Sequence, residues 1–170
     1  MSQEEKYPNP PADMGELLQW IEREWVTLRE AVLALPPERL TVPGNGGWSV
    51  VDHMAHLAFW EQMLVRGYLG GEPQHEVLGV TEEEFRGLSE DAENDIVYRR
   101  NRGRDPAEVL AEVWASHDNA VEAISRFPFE RLTQPRQAGD EYPLSAYVAG
   151  NTYGHYLEHA EWLKPLMGAA

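Results

Sequence analysis

The chain has 170 residues, 42% of them hydrophobic, with six tryptophans, no cysteine and a formal net charge of −15 from 14 Lys and Arg against 29 Asp and Glu. This size and aromatic content suit one domain with a real core and argue against disorder, while zero cysteines exclude disulfides, protein thiolate nucleophiles and thiolate metal ligands. The charge repels phosphate backbones and anionic lipid headgroups, so neither nucleic acid nor a membrane surface is expected as a partner.

No apolar run reaches the roughly 20 residues of a membrane span. Residues 1–11 are polar and proline-rich, without a secretory apolar core. A cytoplasmic protein is expected, with 1–11 as a flexible segment and the whole of 1–170 as a single domain.

Residues 13–35 place Leu17, Leu18, Ile21, Trp25, Leu28, Val32 and Leu35 at the three-and-four spacing of an amphipathic helix. Asp13 with Glu16 opens it and Pro36-Pro37 closes it. Ser49 and Asp52 form a second capping box, opening a helix to about Leu69 that is apolar on more than one side and so expected to be deeply buried. Residues 72–104 are less regular, with Thr81 and Glu84 capping a short helix and Ser89–Arg102 forming a weakly amphipathic one. Asp105-Pro106-Ala107-Glu108 is a strong helix start. Val109, Leu110, Val113, Trp114, Val121 and Ile124 then mark the inward stripe of a helix reaching about Phe127. A loop leads to Pro143, which opens a last helix ending near Met167-Gly168. There is no alternating strand pattern and no repeat at a fixed period. The expected fold is an all-α four-helix bundle with an irregular, partly helical insertion between its second and third helices.

The last helix carries the most informative pair. His155 and His159 stand at i and i+4, with Cβ atoms roughly 6 Å apart on one face, close enough to share an ion. They lie on a seam with Val148, Thr152, Trp162 and Leu166 that points toward the other helices. Two buried imidazoles in adjacent turns are easier to satisfy with a shared cation than with separate hydrogen bonds. His53 and His56 share a face of the second helix, and a third imidazole from this pair completes a His₃ set with an open position. Such a set suits zinc, nickel, iron or copper.

His117 is expected to be a satisfied core histidine and His75 an exposed one. Trp48 and Trp60 read as packing residues. Glu61, among apolar neighbours five residues after His56, is a candidate catalytic base facing a cavity, since an unpaired buried carboxylate is costly. Glu158 and Glu161 are expected to rotate away from the histidine seam into solvent. Asn94, Tyr98 and Asn101 share one helical face, as tethers of the insertion or as a polar wall of a substrate pocket.

Trp48-Ser49, Asp52 and His56-Leu57, with the run from Asn151 to His159 that contains the HxxxH, resemble the DinB-like superfamily of bacterial metal-binding four-helix bundles. The segment Glu93–Arg102 and the run Gly-Asn-Thr-Tyr-Gly-His at 150–155 are similar to its ClbS/DfsB-type branch. The resemblance implies that His56, eight residues after Trp48, joins His155 and His159 in holding a divalent metal ion (zinc, nickel or iron) at one end of the bundle. His53 then competes with His56 or lines the substrate pocket beside Asn94, Tyr98 and Asn101. It further implies a metal-dependent small-molecule transferase or hydrolase, in detoxification or self-protection, that activates water or a thiol. With no cysteine in the chain, that thiol has to be a low-molecular-weight cosubstrate. The alternative is a non-catalytic bundle, metal-stabilised or ligand-sequestering, acting as a homodimer.

Overall fold

The computed structural model of the protein describes residues 3–7, 9–44 and 46–167, the side chains of Glu4, Leu166 and Met167 excepted. A short helix α1 (Gln3–Lys6) precedes α2 (Met14–Leu33), whose first turn is capped by the Asp13 carboxylate accepting from the Glu16 amide at 2.9 Å. Leu17, Ile21, Trp25, Leu28 and Val32 of α2 are buried, on the face that their spacing predicts.

The capping box at Ser49 starts α3 (Val50–Gln62): the Ser49 hydroxyl accepts from the Asp52 amide and the Asp52 carboxylate accepts from the Ser49 amide at 2.8 Å. This helix is buried on several sides, as its apolar surround requires. It continues as a π-helix over Met63–Leu69, ahead of the chain-reversing Gly70-Gly71. The insertion is three short helices, α4 (Gln74–Leu78), α5 (Glu82–Phe85) and α6 (Glu90–Asn101). A satellite cluster of Trp60, Met63, Val77, Leu78 and Val97 binds it to the second arm of the bundle.

Asp105 accepts from the amides of Ala107 and Glu108 at 2.9 and 3.2 Å, opening α7 (Pro106–Arg126), which packs along α3. After the single turn α8 (Phe129–Leu132) come α9 (Leu144–Asn151) and α10 (Tyr153–Met167), the latter packed along α2. The arms α2, α3 with its π extension, α7 and α9–α10 form the expected bundle, with the expected insertion between the second and third. Among the described residues no strand occurs beyond an isolated bridge between Pro135 and Pro143, and no helix is long and apolar enough to cross a membrane.

The fourth arm differs from the single helix expected. It breaks at Thr152, where φ is −136° and ψ −112°. The Thr152 hydroxyl donates to the Val148 carbonyl at 2.6 Å and the Asn151 amide to the Tyr147 carbonyl at 2.7 Å, so side chains occupy carbonyls that the next turn would otherwise use. Gly154 follows for a steric reason: a Cβ there would collide with the Gln3 side chain and the Ala149 carbonyl.

Residues 1–11, expected to be flexible, carry an anchor, although Met1, Ser2 and Pro8 lie outside the described residues. Tyr7 is buried edge-on against Tyr153, 4.9 Å between centroids, and donates its hydroxyl to Glu24. Lys6 pairs with the same carboxylate at 2.8 Å. Glu24 is 1% exposed on the apolar face of α2, and these partners from the N-terminal segment offset the cost of burying it.

The packing assigns unequal roles to two apolar residues of α2. Ile21 is fully buried and Leu33 is 59% exposed. Ile21→Ala should lower unfolding free energy by about 2–5 kcal/mol, whereas Leu33→Ala should stay within about 0.5 kcal/mol of the parent. Denaturant melts of the two variants measure this, and comparable losses would refute the assigned core face.

Candidate metal centre

α3 supplies His53 and His56, three residues apart on one face, and α10 supplies His155 and His159 one turn apart. Where the helices meet, His56 Nε2 lies 2.9 Å from His155 Nε2 and His53 Nδ1 lies 3.0 Å from His159 Nδ1. One ring nitrogen from each of His56, His155 and His159 falls within 4.8 Å of the other two, a spacing that can hold one metal ion. Three buried nitrogens in this group, His56 Nδ1, His155 Nδ1 and His159 Nε2, have no hydrogen-bond partner. Buried polar atoms are rarely left so, and a shared cation takes up lone pairs that no protein group meets. The donor set therefore fits a divalent metal.

His53 stands against His159 rather than within the three. When His159 donates its Nδ1 proton to His53, its Nε2 is left as a bare lone pair, the form that ligates. Burial lowers the pKa of all four rings, with neighbouring imidazoles adding to the effect on His56, His155 and His159: His53 and His155 fall to about 4, His56 to about 2, and His159 well below its ordinary value. The cluster is neutral at physiological pH, as ligation requires. Trp48 packs edge-on to His56 at 5.2 Å, and Trp162 packs over His159 at 4.8 Å.

The histidines form part of the wall of a cavity of about 1010 Å³ between α3, α6 and the fourth arm. Asn94 and Tyr98 line it as the pocket reading expects: Asn94 accepts from the Trp60 indole at 3.0 Å, and Tyr98 stacks on Trp48 with planes 6° apart. Asn101 does not reach the cavity lining; its amide donates to the Val97 carbonyl at 2.9 Å and its oxygen accepts from Arg104 at 2.8 Å, closing the end of α6. Glu158 and Glu161, expected to turn away from the site, both line the cavity, because its wide mouth extends beyond the histidine face of α10. Trp48 and Trp60, read as packing residues, are cavity walls as well. Tyr68 and Tyr147 also line the cavity and carry no motif that marks them in the sequence; Asn151 lines it too, and in the sequence it opens the run that carries the family resemblance without having a role of its own. The recurrence of Tyr147, Asn151 and His155 at four-residue steps is the available signal, although it crosses the helix break. His75, expected to be exposed, is half-buried on α4 and does not belong to the histidine group.

Glu61 is not brought to the cavity. Five residues past His56 is roughly 140° around the helix, which turns Glu61 toward α7 and α10. There it is fully buried, accepting from the Tyr156 hydroxyl at 2.5 Å, with His117 Nδ1 4.0 Å away. His117 stacks on Trp25 at 4.0 Å and bonds to Tyr156 at 3.1 Å, the satisfied core histidine expected. Burial pushes the Glu61 carboxyl up to about 8 from 4.5, against the opposing Tyr156 hydrogen bond. The folded state thus retains a proton that the unfolded chain releases, so this group's contribution to stability is full below pH 4.5 and declines as pH rises toward 8. Relative to Glu61→Gln, the wild type should lose on the order of a few kcal/mol between pH 5 and pH 8. Denaturant melts of both proteins at several pH values test this; a pH-independent difference would refute it.

A sequence profile described as the DinB superfamily matches residues 10–161. No curated protein shows significant sequence similarity to the chain. Among solved structures, the colibactin self-resistance protein ClbS in complex with double-stranded DNA is 20% identical, with a TM-score of 0.75 over 94% of this chain and 98% of that one. An uncharacterised protein from Escherichia coli UTI89 is 17% identical, at 0.70 over 94% and 97%. A Streptococcus pneumoniae protein is 10% identical, at 0.74 over 96% and 94%. At these identities the likeness is one of fold, and it agrees with the ClbS-type resemblance of the sequence.

The ClbS complex also corrects one expectation, the exclusion of nucleic acid on grounds of net charge, since a protein of this fold is found with duplex DNA. Net charge is a sum over the whole surface and does not set the potential of any one face. Profile, bundle and histidine group agree: the chain belongs to the DinB superfamily.

Proposed function

We propose that His56, His155 and His159 hold one divalent metal ion, zinc, nickel or iron, and that the protein is a metal-dependent transferase or hydrolase of a small molecule that enters the adjoining cavity. The observation that supports this most directly is the coincidence of three neutral, partner-deficient imidazoles with an accessible space of about 1010 Å³. A bundle whose histidines served only packing or metal-held stability would have no need of that space. When bound, such an ion acts as a Lewis acid that favours the deprotonated form of a water or thiol at its open position.

The chain's own residues do the rest. His53 fixes the tautomer and orientation of His159 through their shared Nδ1 contact. The Trp60–Asn94 hydrogen bond and the Trp48–Tyr98 stack hold the cavity wall in place, so a substrate meets a preformed surface. Trp162, itself half exposed, packs against the rings of His159 and His53 at 4.8 and 5.5 Å and so occupies part of the space water would take beside them. The chain contains no cysteine, so a thiol route depends on a cosubstrate. A self-protection role finds support in the shared fold of ClbS, a self-resistance protein.

Tag-free protein purified without chelator and reloaded with zinc, nickel or iron should carry about one equivalent by elemental analysis. His56→Ala, His155→Ala and His159→Ala should each abolish stoichiometric binding, and a chelator should lower the wild-type Tm by about 5–10 °C. Absence of stoichiometric metal after reloading would overturn the reading. The ClbS complex supports a second reading, with duplex DNA as a ligand. A labelled duplex should then show rising anisotropy with added protein at low salt and weaker binding at higher salt; a flat titration would remove it.

A further inference from the structure

The cavity wall is chemically one-sided. Glu90, Asp91 and Glu93 from the start of α6 and Glu158 from α10 all line it, and none has a cationic partner among the described residues. Two more lining carboxylates are paired, Asp95 with Arg99 and Glu161 with Lys164, but neither cation lines the cavity. No lysine or arginine does, among the described residues. Acidic residues in the first turn of a helix are partly offset by its dipole, which accounts for some of the α6 cluster. It does not account for Glu158, which belongs to another helix and lies near enough to Glu90 for their charges to repel. Glu93 is half-buried, and its carboxyl is raised by burial and by Glu90.

Aromatic faces complete the wall. Trp48 and Tyr98 stack with centroids 5.4 Å apart, and Tyr68 and Tyr147 stack at 4.5 Å. Such faces carry negative quadrupole density and attract cations; Tyr68 already meets one, the Arg136 guanidinium 5.6 Å over its ring, which leaves the Trp48–Tyr98 pair. At the depth of the same cavity His159, 1% exposed, keeps Nε2 without a partner, so the wall surrounds a place built to receive something.

We propose that this cavity selects organic cations: small molecules carrying an ammonium-type charge beside an apolar body, with the charge held between the Glu90–Glu93–Glu158 carboxylates and the Trp48–Tyr98 faces. The inference rests on the cavity being the substrate site of the proposed metal centre, and it names the substrate class. Small anions such as phosphate esters are rejected by the same carboxylates. Attraction weakens with added salt, since charges at the cavity mouth are screened over about 8 Å at physiological ionic strength.

The test compares choline, its neutral carbon isostere 3,3-dimethylbutan-1-ol and the anion 3,3-dimethylbutanoate by NMR titration of the tryptophan indole signals of metal-reloaded protein. Metal content is measured on the same samples. Choline should bind about tenfold more tightly than the alcohol, and the anion more weakly than either. The double variant Glu90→Gln/Glu93→Gln, with folding checked by thermal melts, should reduce the cation preference at least about threefold while leaving affinity for the alcohol in place, and Tyr98→Leu should lower the ratio of choline to alcohol affinity by a similar factor whatever it does to the alcohol alone. Equal affinity for choline and the alcohol, or a preference unchanged in both variants, overturns the proposal. Metal at full stoichiometry without cation preference sinks this inference alone. Cation preference without stoichiometric metal sinks the metal reading and leaves the selectivity standing.

Discussion

The candidate site depends on the contact between α3 and α10 through four imidazole rings. His56 and His155 are 99 residues apart in the chain and His53 and His159 are 106 apart, yet they meet nitrogen to nitrogen at 2.9 and 3.0 Å. Two helices can close over such rings only if the rings are uncharged, because imidazolium ions packed together away from water would repel and be poorly solvated. Burial keeps them neutral, and a neutral imidazole is a ligand. The same burial leaves ring nitrogens without partners, so the contact that joins the helices also gathers lone pairs that no protein group meets.

Two departures from regular α-helix shape the space around that contact. The π segment after α3 carries Tyr68 onto Tyr147 of α9, and the break at Thr152 lets α9 and α10 follow different axes, so Tyr147, Asn151 and the histidines border one cavity. Both irregularities fall beside the site, where π-helical turns and side-chain competition for backbone carbonyls are often found. The insertion closes the other side with α6, secured by Arg100 donating to the Leu78 and Gly79 carbonyls and by the Trp60–Asn94 bond. Rigid tethering of that wall places Tyr98 against Trp48.

The acidity of the chain, which in sequence is a single number, is divided in the structure into parts with different physics. Glu24 is buried as a partnered carboxylate among Lys6, Tyr7 and Arg23. Glu61 is buried with its pKa raised, protonated at neutral pH beside Tyr156. Glu90, Asp91, Glu93 and Glu158 stand around the cavity as solvated or half-buried charges. A net charge of −15 cannot separate these, and reading it as a uniform repulsion is what made the exclusion of nucleic acid unsafe.

Much was legible from residue order alone. Capping boxes at Ser49 and Thr81, the Asp105-Pro106 start and the three-and-four spacing of α2 and α7 located the helices, because caps and amphipathic stripes are local properties of a few turns. The HxxxH of α10 marked the site for the same reason, and the spacing from Trp48, read through family resemblance, singled out His56. Tertiary structure alone decided which face of each helix meets which neighbour. That choice turned Glu61 into the core rather than the cavity, brought Glu158, Trp48 and Trp60 to the cavity wall, set Asn101 to closing a helix, and gave Glu24 its partners from the N-terminal segment. Helical periodicity fixes the angles between side chains on one helix, but burial and pairing depend on how separate helices are rotated against one another, and that rotation is set by the packing of the whole bundle.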